Sequence, residues 1–247
     1  IEEYERNNVN TDFVKTIEDN HSGVASIWVE ETGENRIILS AGANDDVDID
    51  LVDEAFDSLE KPDVVLSQLE IPQESILQGF KRGIESGATT ILNPAPASLV
   101  LKEIMDITDW ILPNETEFAI IANEMYGMDI KKFSIETYKV AIKQFANKAQ
   151  MNVVITIGKE GALLYMPKED MEPLHIPAPS VKTVDTTGAG DAFCGTFSYG
   201  ISKGLSPEES VKLANKVAAE SVKKTGTQIS YPRGERLKEI VDNALGD

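Results

Sequence analysis

The sequence predicts an α/β fold in which a largely parallel sheet is covered by helices on both faces. From residue 63 onward, short apolar segments of strand length alternate with longer segments in which apolar residues recur at helical spacing. The strand segments are apolar throughout, which is typical of parallel strands buried on both faces. With 247 residues, the chain is long enough for one large domain of this kind and a small appendage.

The first part of the chain differs, because residues 22–40 have the pattern of an antiparallel hairpin. Residues 23–29 alternate between apolar and polar positions, a polar turn follows around Gly33, and residues 36–39 return as a strand. We expect residues 11–16 to pair with this hairpin. The pattern therefore predicts a small antiparallel sheet with one polar face.

The α/β part is predicted from apolar periodicity and from turn residues. A helix is expected between Pro72 and Gly87, because proline is favoured at a helix start and glycine at a helix end. The predicted strands cover residues 64–66, 89–92, 110–112, 153–156 and 161–165. The other predicted helices cover residues 115–125 and 135–148 and the segments that follow Gly188, Pro207 and Arg233.

Polar residues and glycines follow the ends of these predicted strands. The residues in question are Glu70, Asn93, Asn114, Glu117, Gly158 and the turn at Gly188. In an open parallel sheet, ligands bind outside the carboxyl ends of the strands, which lie along one edge. The sequence therefore predicts one ligand-binding edge.

Composition excludes several classes of partner. Lys and Arg total 23 against 42 Asp and Glu, so the formal net charge is -19, which argues against nucleic acid and anionic membranes as partners. The single cysteine, Cys194, cannot form a disulfide framework. The sequence contains no run of eighteen apolar residues and no signal-peptide pattern, and we therefore expect a cytoplasmic location.

The most informative segment is residues 184–193, Val-Asp-Thr-Thr-Gly-Ala-Gly-Asp-Ala-Phe. The turn formed by Gly188, Ala189 and Gly190 precedes an apolar helical pattern, so its amides are predicted to lie at a helix N-terminus, where anions bind. Asp191 places a carboxylate at the same point. A carboxylate beside an anion site suits a base that deprotonates a nucleophile while the amides hold a phosphoryl group.

Other interpretations of this segment remain. Asp191 also fits a helix cap after a glycine turn. A P-loop requires Lys after its last glycine, and the GxGxxG dinucleotide motif fails because the glycine after Gly190 is Gly195. The segment Gly200-Ile-Ser-Lys-Gly204 matches the hydrolase motif G-x-S-x-G. A hydrolase role is disfavoured because the segment ends a predicted helix, whereas the motif should join a strand to a helix. Both histidines also precede Ser202, whereas the catalytic histidine of that motif follows the serine.

The segment 185–193, together with six others, resembles the ribokinase family, the ribokinase/phosphofructokinase-B class of ATP-dependent sugar kinases. The six are Ala41-Gly-Ala-Asn44, Gln68-Leu-Glu70, Asn93-Pro-Ala-Pro-Ala97, Pro113-Asn-Glu-Thr-Glu117, Thr156-Ile-Gly158 and Gly226-Thr-Gln-Ile-Ser230. The resemblance implies a three-layer α/β/α sandwich with a mostly parallel sheet and a small antiparallel β lid. Residues 1–40 would be the remnant of the lid with its adjoining segment, and residues 41–247 would bind nucleotide and substrate.

The resemblance also implies roles for individual residues. Asp191 would deprotonate the sugar hydroxyl, and Gly188, Ala189 and Gly190 would bind the transferred phosphoryl group. Mg²⁺ and its waters would be organised near the nucleotide phosphates by Asn114 and Glu117. Glu117 also fits an ordinary first-turn helix acid.

The remaining implied roles concern nucleotide, sugar and a monovalent cation. Thr156 and Gly158 would contact the nucleotide, with Asn215 near the adenine edge. Glu70 would face the sugar, although it also fits a solvated loop acid. A K⁺ ion would be bound by the side chains of Asp185 and Ser230 and by the carbonyl groups of Thr187, Ser221, Lys224 and Gly226.

The family's opening Asn-x-Asp motif and its Gly-Gly-Lys-Gly-Ala-Asn segment, both of which contact the sugar, are absent from the sequence. We therefore expect a chain that lacks roughly the first quarter of the family and is weakly active at best. The implied reaction is ATP-dependent phosphorylation of D-ribose at its 5-hydroxyl, with Mg²⁺ and K⁺. The alternatives are a kinase of another sugar or of a nucleoside and an inactive chain that binds nucleotide only. The family's lid also implies a homodimer.

Overall fold

A computed structural model describes residues 1–29, 35–131 and 134–245. The main sheet of this described part has six strands in chain order, of which the first four are mutually parallel and the last two are each antiparallel to the preceding strand. The strands are β3 (Val64–Ser67), β4 (Thr89–Leu92), β5 (Trp110–Ile111), β6 (Asn152–Thr156), β7 (Ala162–Tyr165) and β8 (Leu174–Ile176). The predicted, mostly parallel sheet is confirmed.

Helices cover both faces of this sheet. The helices of the described part are α1 (Glu2–Arg6), α2 (Ile49–Ser58), α3 (Gln73–Ser86), α4 (Lys102–Asp106), α5 (Glu115–Tyr126), α6 (Ile135–Ala149), α7 (Ala189–Ser202), α8 (Pro207–Ser221) and α9 (Gly234–Leu245). Two 3₁₀ helices, Gly42–Asp46 and Gly158–Glu160, complete the described elements. No helix within these ranges is long and apolar enough to cross a membrane.

Successive strand residues point into different cores, as the pleat of a strand requires. Leu92 and Val153 pack in a core with α3 to α6, whereas the adjacent residues Ile91 and Val154 pack in a second core with α7 and α8. All four side chains are fully buried. The sheet is therefore the middle layer of three, and α7, which carries Asp191, is supported by its own apolar core.

A substitution at Phe145 tests the packing of the core that the sheet forms with α3 to α6. Phe145 is fully buried in α6, and its ring centroid lies 5.2 Å from that of Phe118 and 4.8 Å from that of Tyr126. We expect Phe145→Ala to lower the free energy of unfolding by about 3–5 kcal/mol, because it removes buried apolar area and leaves a cavity. Urea denaturation measures this loss. The control is Val140→Ala on the exposed side of the same helix, and equal losses in the two variants would contradict the assignment of the core.

The predicted hairpin strands are confirmed. β1 (Val24–Val29) pairs antiparallel with β2 (Asn35–Ser40), from Val24 opposite Ser40 to Val29 opposite Asn35. The predicted turn falls on residues 30–34, which lie outside the described residues.

The pairing expected for residues 11–16 is wrong. Backbone groups there are used locally, since the N–H of Asp12 bonds to the side chain of Asn10 and the N–H of Val14 bonds to the carbonyl of Thr11. These turn bonds replace the ladder that a strand would need. Residues of β8, by contrast, form a strand that the sequence pattern did not predict.

Candidate active site

The Gly-Ala-Gly turn of residues 188–190 begins helix α7. Gly188 is the N-cap, so Ala189, Gly190 and Asp191 are the first three residues of the helix. The helix therefore includes Ala189 and Gly190, which were expected to form the turn before it, and the interpretation of Asp191 as its cap is wrong. Asp191 lies in the first turn, where the helix dipole stabilises negative charge.

The start of α7 leaves amide groups unpaired. The N–H of Ala189 donates to the carbonyl of Thr186 at 3.2 Å, closing the turn before the helix. Within the described part of the chain, the N–H groups of Gly188, Gly190 and Asp191 donate no hydrogen bond. Unpaired amides at the positive end of a helix bind anions. The N–H groups of Gly188 and Gly190 could therefore donate directly to a bound anion. The N–H of Ala189 would have to be shared between the anion and the carbonyl of Thr186.

The carboxyl group of Asp191 is accessible to solvent but closely surrounded by protein. This desolvation raises its pKa above that of an ordinary aspartate. Its negative charge contributes to raised pKa values at Glu117, Cys194 and Tyr231, for each of which burial is the larger cause. The carboxylate of Asp191 is thus near enough to influence the titration of Glu117, although 74 residues separate the two in the sequence.

Gly188 is held in a conformation that favours glycine. Its φ is +78°, and a Cβ atom there would lie 2.7 Å from the hydroxyl oxygen of Tyr231 and 3.2 Å from the Cβ of Thr227. The hydroxyl of Tyr231 also donates to the carbonyl of Gly188 at 3.1 Å. The turn is therefore packed tightly against the segment that precedes α9.

Asn114 and Glu117 form a reciprocal pair at the start of α5. The side-chain oxygen of Asn114 accepts a bond from the N–H of Glu117 at 2.9 Å, and the carboxylate of Glu117 accepts one from the N–H of Asn114 at 2.8 Å. The alternative role of Glu117 as a helix-stabilising acid is thus present in the structure. Burial is the main cause of its raised pKa. Among the residues that the structure describes, its second carboxylate oxygen accepts no hydrogen bond and is available to another partner.

Six of the predicted site residues line one cavity of about 610 Å³. They are Asn114, Thr156, Gly158, Ala189, Gly190 and Asn215. The first two come together through a bridge between Asn114 and Thr156, which extends the parallel ladder beyond β5 and β6. A cavity of this size suits a ligand as large as a nucleotide.

The side chain of Asn215 lies at the far wall of this cavity. It is 4% exposed, and its Nδ2 donates to the carbonyl of Ile176 in β8 at 3.0 Å. Sequence analysis did not name all of the residues that line the cavity. Thr186 and Phe193 lie within the quoted segment 184–193 but were given no role, and the charged residues Lys159 and Glu160 directly follow Gly158. Ala218 and Ala219 carry no chemical motif, and only their positions in α8 could have indicated them.

Glu70 belongs to a different cleft. It is exposed and lines a space of about 650 Å³ between the β1–β2 hairpin and the α/β layers. Ser40 and Asn44 line the same cleft. The carboxyl ends of β3 and β4 are joined beside it, since the N–H of Leu69 donates to the carbonyl of Ala95.

Asp185 organises the residues predicted to bind a monovalent cation. Its carboxylate accepts bonds from the N–H and hydroxyl of Thr187, at 2.9 and 2.7 Å, and from the N–H of Gly226 at 2.9 Å. These bonds, with that from Gly226 as the largest cause, lower the pKa of Asp185 to about 2. The N–H of Asp185 bonds to the carbonyl of Val222. This hydrogen bond holds the segment that precedes the glycine turn beside the C-terminal end of α8.

The other predicted cation ligands lie at the end of α8 and in the following loop. The carbonyl of Ser221 accepts a bond from the N–H of Lys224 at 3.5 Å, and the buried Ser230 donates its hydroxyl to the carbonyl of Thr227. Across the described ranges, no group of three or more His, Cys, Asp or Glu side chains is placed to hold a metal ion. A cation here would therefore be bound largely by carbonyl oxygens.

Comparison with known proteins finds similarity over most of the chain. The family model "pfkB family carbohydrate kinase" matches residues 1–233. Ribokinase from Schizosaccharomyces pombe is 36% identical over 227 residues, which is 92% of this chain and 70% of the relative. Deoxyribokinase from Salmonella typhi is 34% identical over 238 residues, which is 94% of this chain and 74% of the relative.

The crystal structure of ribokinase from Thermotoga maritima has a similar fold. The TM-score is 0.82 at 33% identity, over 100% of this chain and 76% of that chain. Together with the sheet order and the separate β1–β2 pair, this similarity confirms the predicted three-layer sandwich with a small antiparallel sheet.

Proposed function

Because this chain belongs to the pfkB family of carbohydrate kinases and is a phosphotransferase with an alcohol acceptor, we propose that it transfers the γ-phosphoryl group of ATP to the 5-hydroxyl of D-ribose. The observation that carries the proposal is the start of α7, where the Asp191 carboxylate follows the unpaired amides of Gly188 and Gly190. Gly190 also lines the cavity, and Asp191 is the next residue. We therefore propose that the carboxylate of Asp191 lies near the terminal phosphate of a nucleotide bound in this cavity.

In the proposed mechanism, Asp191 takes the proton from the attacking hydroxyl. An alcohol becomes acidic as its bond to phosphorus forms, so a carboxylate within hydrogen-bond reach suffices as the base. The amides of Gly188, Ala189 and Gly190 stabilise the charge that develops on the phosphoryl oxygens, and they need little reorganisation because the helix fixes them. Most of the catalysis is therefore positioning and electrostatics.

The proposed nucleotide occupies the cavity lined by Thr156 and Gly158, with Asn215 near the base. Mg²⁺ would supply charge neutralisation at the nucleotide phosphates when bound. The donors fit a hydrated ion, because the second carboxylate oxygen of Glu117 and the amide of Asn114 can bind its waters. Both groups are fixed at the start of α5 by their reciprocal bonds.

Glu117→Gln separates this metal role from helix capping. Glutamine keeps the capping bonds but loses a charge whose burial raises the pKa of Glu117, so we expect stability at least equal to that of the wild type and at least a fivefold rise in the Mg²⁺ concentration for half-maximal rate. The matched control is Glu209→Gln, since Glu209 forms the same pair with Ser206 at the exposed start of α8. Equal Mg²⁺ responses in both variants would assign Glu117 to the helix alone.

We propose that the sugar binds near the cleft that contains Glu70, whose carboxylate would accept bonds from sugar hydroxyls. The second candidate acceptor is 2-deoxy-D-ribose, because the relative from Salmonella typhi, a deoxyribokinase, is nearly as similar as the ribokinase from Schizosaccharomyces pombe. The two acceptors differ by one hydroxyl group, and a site that hydrogen-bonds a hydroxyl rejects the analogue that lacks it.

A coupled assay of ADP release tests the proposed reaction. D-ribose, 2-deoxy-D-ribose, D-fructose and adenosine are compared as acceptors, and D-ribose is expected to give the highest kcat/KM. A higher value for any other acceptor would overturn the substrate, and ATP binding without turnover of any acceptor would favour the nucleotide-only alternative. Titration calorimetry with ATP and with each acceptor separates binding from turnover.

We also propose that a monovalent cation such as K⁺ binds among Asp185, Thr187, Ser221, Lys224, Gly226 and Ser230. Hard oxygen ligands and a carboxylate that stays ionised to about pH 2 suit such an ion. The ion would stabilise the turn that precedes the anion site. Replacing K⁺ with a bulky organic cation is expected to lower kcat, and an unchanged kcat would remove the ion from the proposal.

Residues 1–40 and 41–247 are proposed as the lid unit and the nucleotide- and substrate-binding domain. Ion pairs between Glu3 and Arg233 and between Lys15 and Glu54 connect the two. We propose that the β1–β2 hairpin of one copy packs against that of another in a homodimer. Light scattering gives the mass in solution, and a monomer at working concentrations would exclude this assembly.

A further inference from the structure

Tyr231 reaches the proposed anion site from a distant part of the chain. Its hydroxyl donates to the carbonyl of Gly188 at 3.1 Å, and the same carbonyl accepts the first bond of α7, from the N–H of Ala192 at 2.9 Å. Both lone pairs of this oxygen are therefore used. The first peptide of the helix is fixed by one bond from the helix itself and one from Tyr231.

The ring of Tyr231 is anchored by packing. It is half-buried against a small core formed by α7, α8 and α9, which contains Ala192, Leu213 and Ile240. Its hydroxyl also lies close to the α-carbon of Gly188, since a Cβ atom built there would be 2.7 Å away. The phenol is thus a fixed part of the wall on which the glycine turn rests.

The hydrogen bond from Tyr231 also restricts the N–H group on the other side of the Gly188–Ala189 peptide bond. Because a peptide is planar, the carbonyl of Gly188 and the N–H of Ala189 turn together. Holding the carbonyl fixes the direction of this N–H, and the amides of Gly190 and Asp191 follow from the same helical start. Burial and the charge of Asp191 raise the pKa of Tyr231, so its hydroxyl remains a donor at neutral pH.

We propose that Tyr231 is a positioning residue for phosphoryl transfer, which holds the Gly188 peptide so that the first amides of α7 point at the transferred group. This role rests on the proposed function of Asp191 and the glycine turn. Tyr231 does not itself touch the reacting atoms. Its contribution is orientation, which is needed more in the transition state than in substrate binding.

Tyr231→Phe tests the proposal, because it removes one hydroxyl and keeps the ring. We expect kcat to fall about 5–20-fold while the KM values for ATP and for the best acceptor change less than twofold. The melting temperature should fall by less than about 4 °C, since one neutral hydrogen bond is lost in a chain of this size. A kcat within twofold of the wild type, or KM values that rise as much as kcat falls, would overturn the proposal.

Two further measurements test the role of Tyr231 independently of the proposed function. Tyr165→Phe is the control, because Tyr165 is another buried tyrosine whose hydroxyl lies 3.4 Å from the side chain of Asn147, in the opposite core. It should leave kcat unchanged. Hydrogen exchange of the amides in residues 188–193 should be faster in Tyr231→Phe than in the wild type, even if no acceptor is turned over. Unchanged exchange would contradict the role of Tyr231, whereas a wild-type chain without turnover would contradict the proposed function alone.

Discussion

Asp191→Asn is expected to lower kcat by roughly 10²–10⁴-fold, the usual contribution of a general base. Asparagine has nearly the same shape but cannot take a proton from the attacking hydroxyl. The surroundings of the side chain should tolerate the change, because within the described residues the carboxylate of Asp191 has no hydrogen-bond partner to lose. Steady-state kinetics with the best acceptor measure the effect.

The matched control is Asp170→Asn, the same substitution at an exposed acid in the loop between β7 and β8. It should leave kcat unchanged. Calorimetry should show that Asp191→Asn still binds ATP, since the cavity proposed for the nucleotide is unchanged. A kcat for Asp191→Asn within tenfold of the wild type would remove Asp191 as the base.

The raised pKa of Asp191 adds two expectations with defined signs. The base acts in its ionised form, so the rate should fall as the pH drops, and it should begin to fall at a higher pH than an ordinary aspartate would allow. A folded-state pKa above the unfolded value means that the ionised carboxylate destabilises the fold above that pKa. Asp191→Asn should therefore be at least as stable as the wild type at neutral pH. A lower melting temperature would contradict this reasoning.

Much of the fold was predictable because local signals and packing agree. Apolar strand segments, the glycine that ends α3 and the polar residue before α5 each indicate the element that forms there. β8 was missed because it has three residues and is defined by its pairing with β7. The strand expected at residues 11–16 failed because local turn bonds satisfy the backbone.

The proposed site could be predicted only where residues carry chemically reactive or charged groups. Asp191, Glu117 and Asn114 are marked by their types and by their positions at strand ends. Tyr231 was missed because its contact with Gly188 spans 43 residues, and nothing local indicates it. The separation of Glu70 from the nucleotide cavity depends on where the hairpin packs, which no local pattern specifies.

A substitution at Gly188 in the glycine turn is expected to lower both stability and kcat. We expect Gly188→Ala to lower the free energy of unfolding by about 1–2 kcal/mol, because an L-residue is strained at a φ of +78°. The new Cβ atom would also displace the hydroxyl of Tyr231, which a chemical denaturation curve would record as a further loss of stability. Because the first peptide of α7 would move, kcat should fall by at least tenfold.

Two other glycines of α7 separate strain from catalysis. Gly195→Ala adds a Cβ atom to open space on the exposed side of the helix, so it should raise stability by about 0.5–1 kcal/mol and leave kcat unchanged. Gly190→Ala also meets no neighbouring atom, yet Gly190 lines the cavity proposed for the nucleotide. Its new methyl group should not destabilise the fold, but it would occupy space at the proposed anion site, so we expect a lower kcat. If Gly190→Ala were as active as Gly195→Ala, the anion site would not lie at this turn.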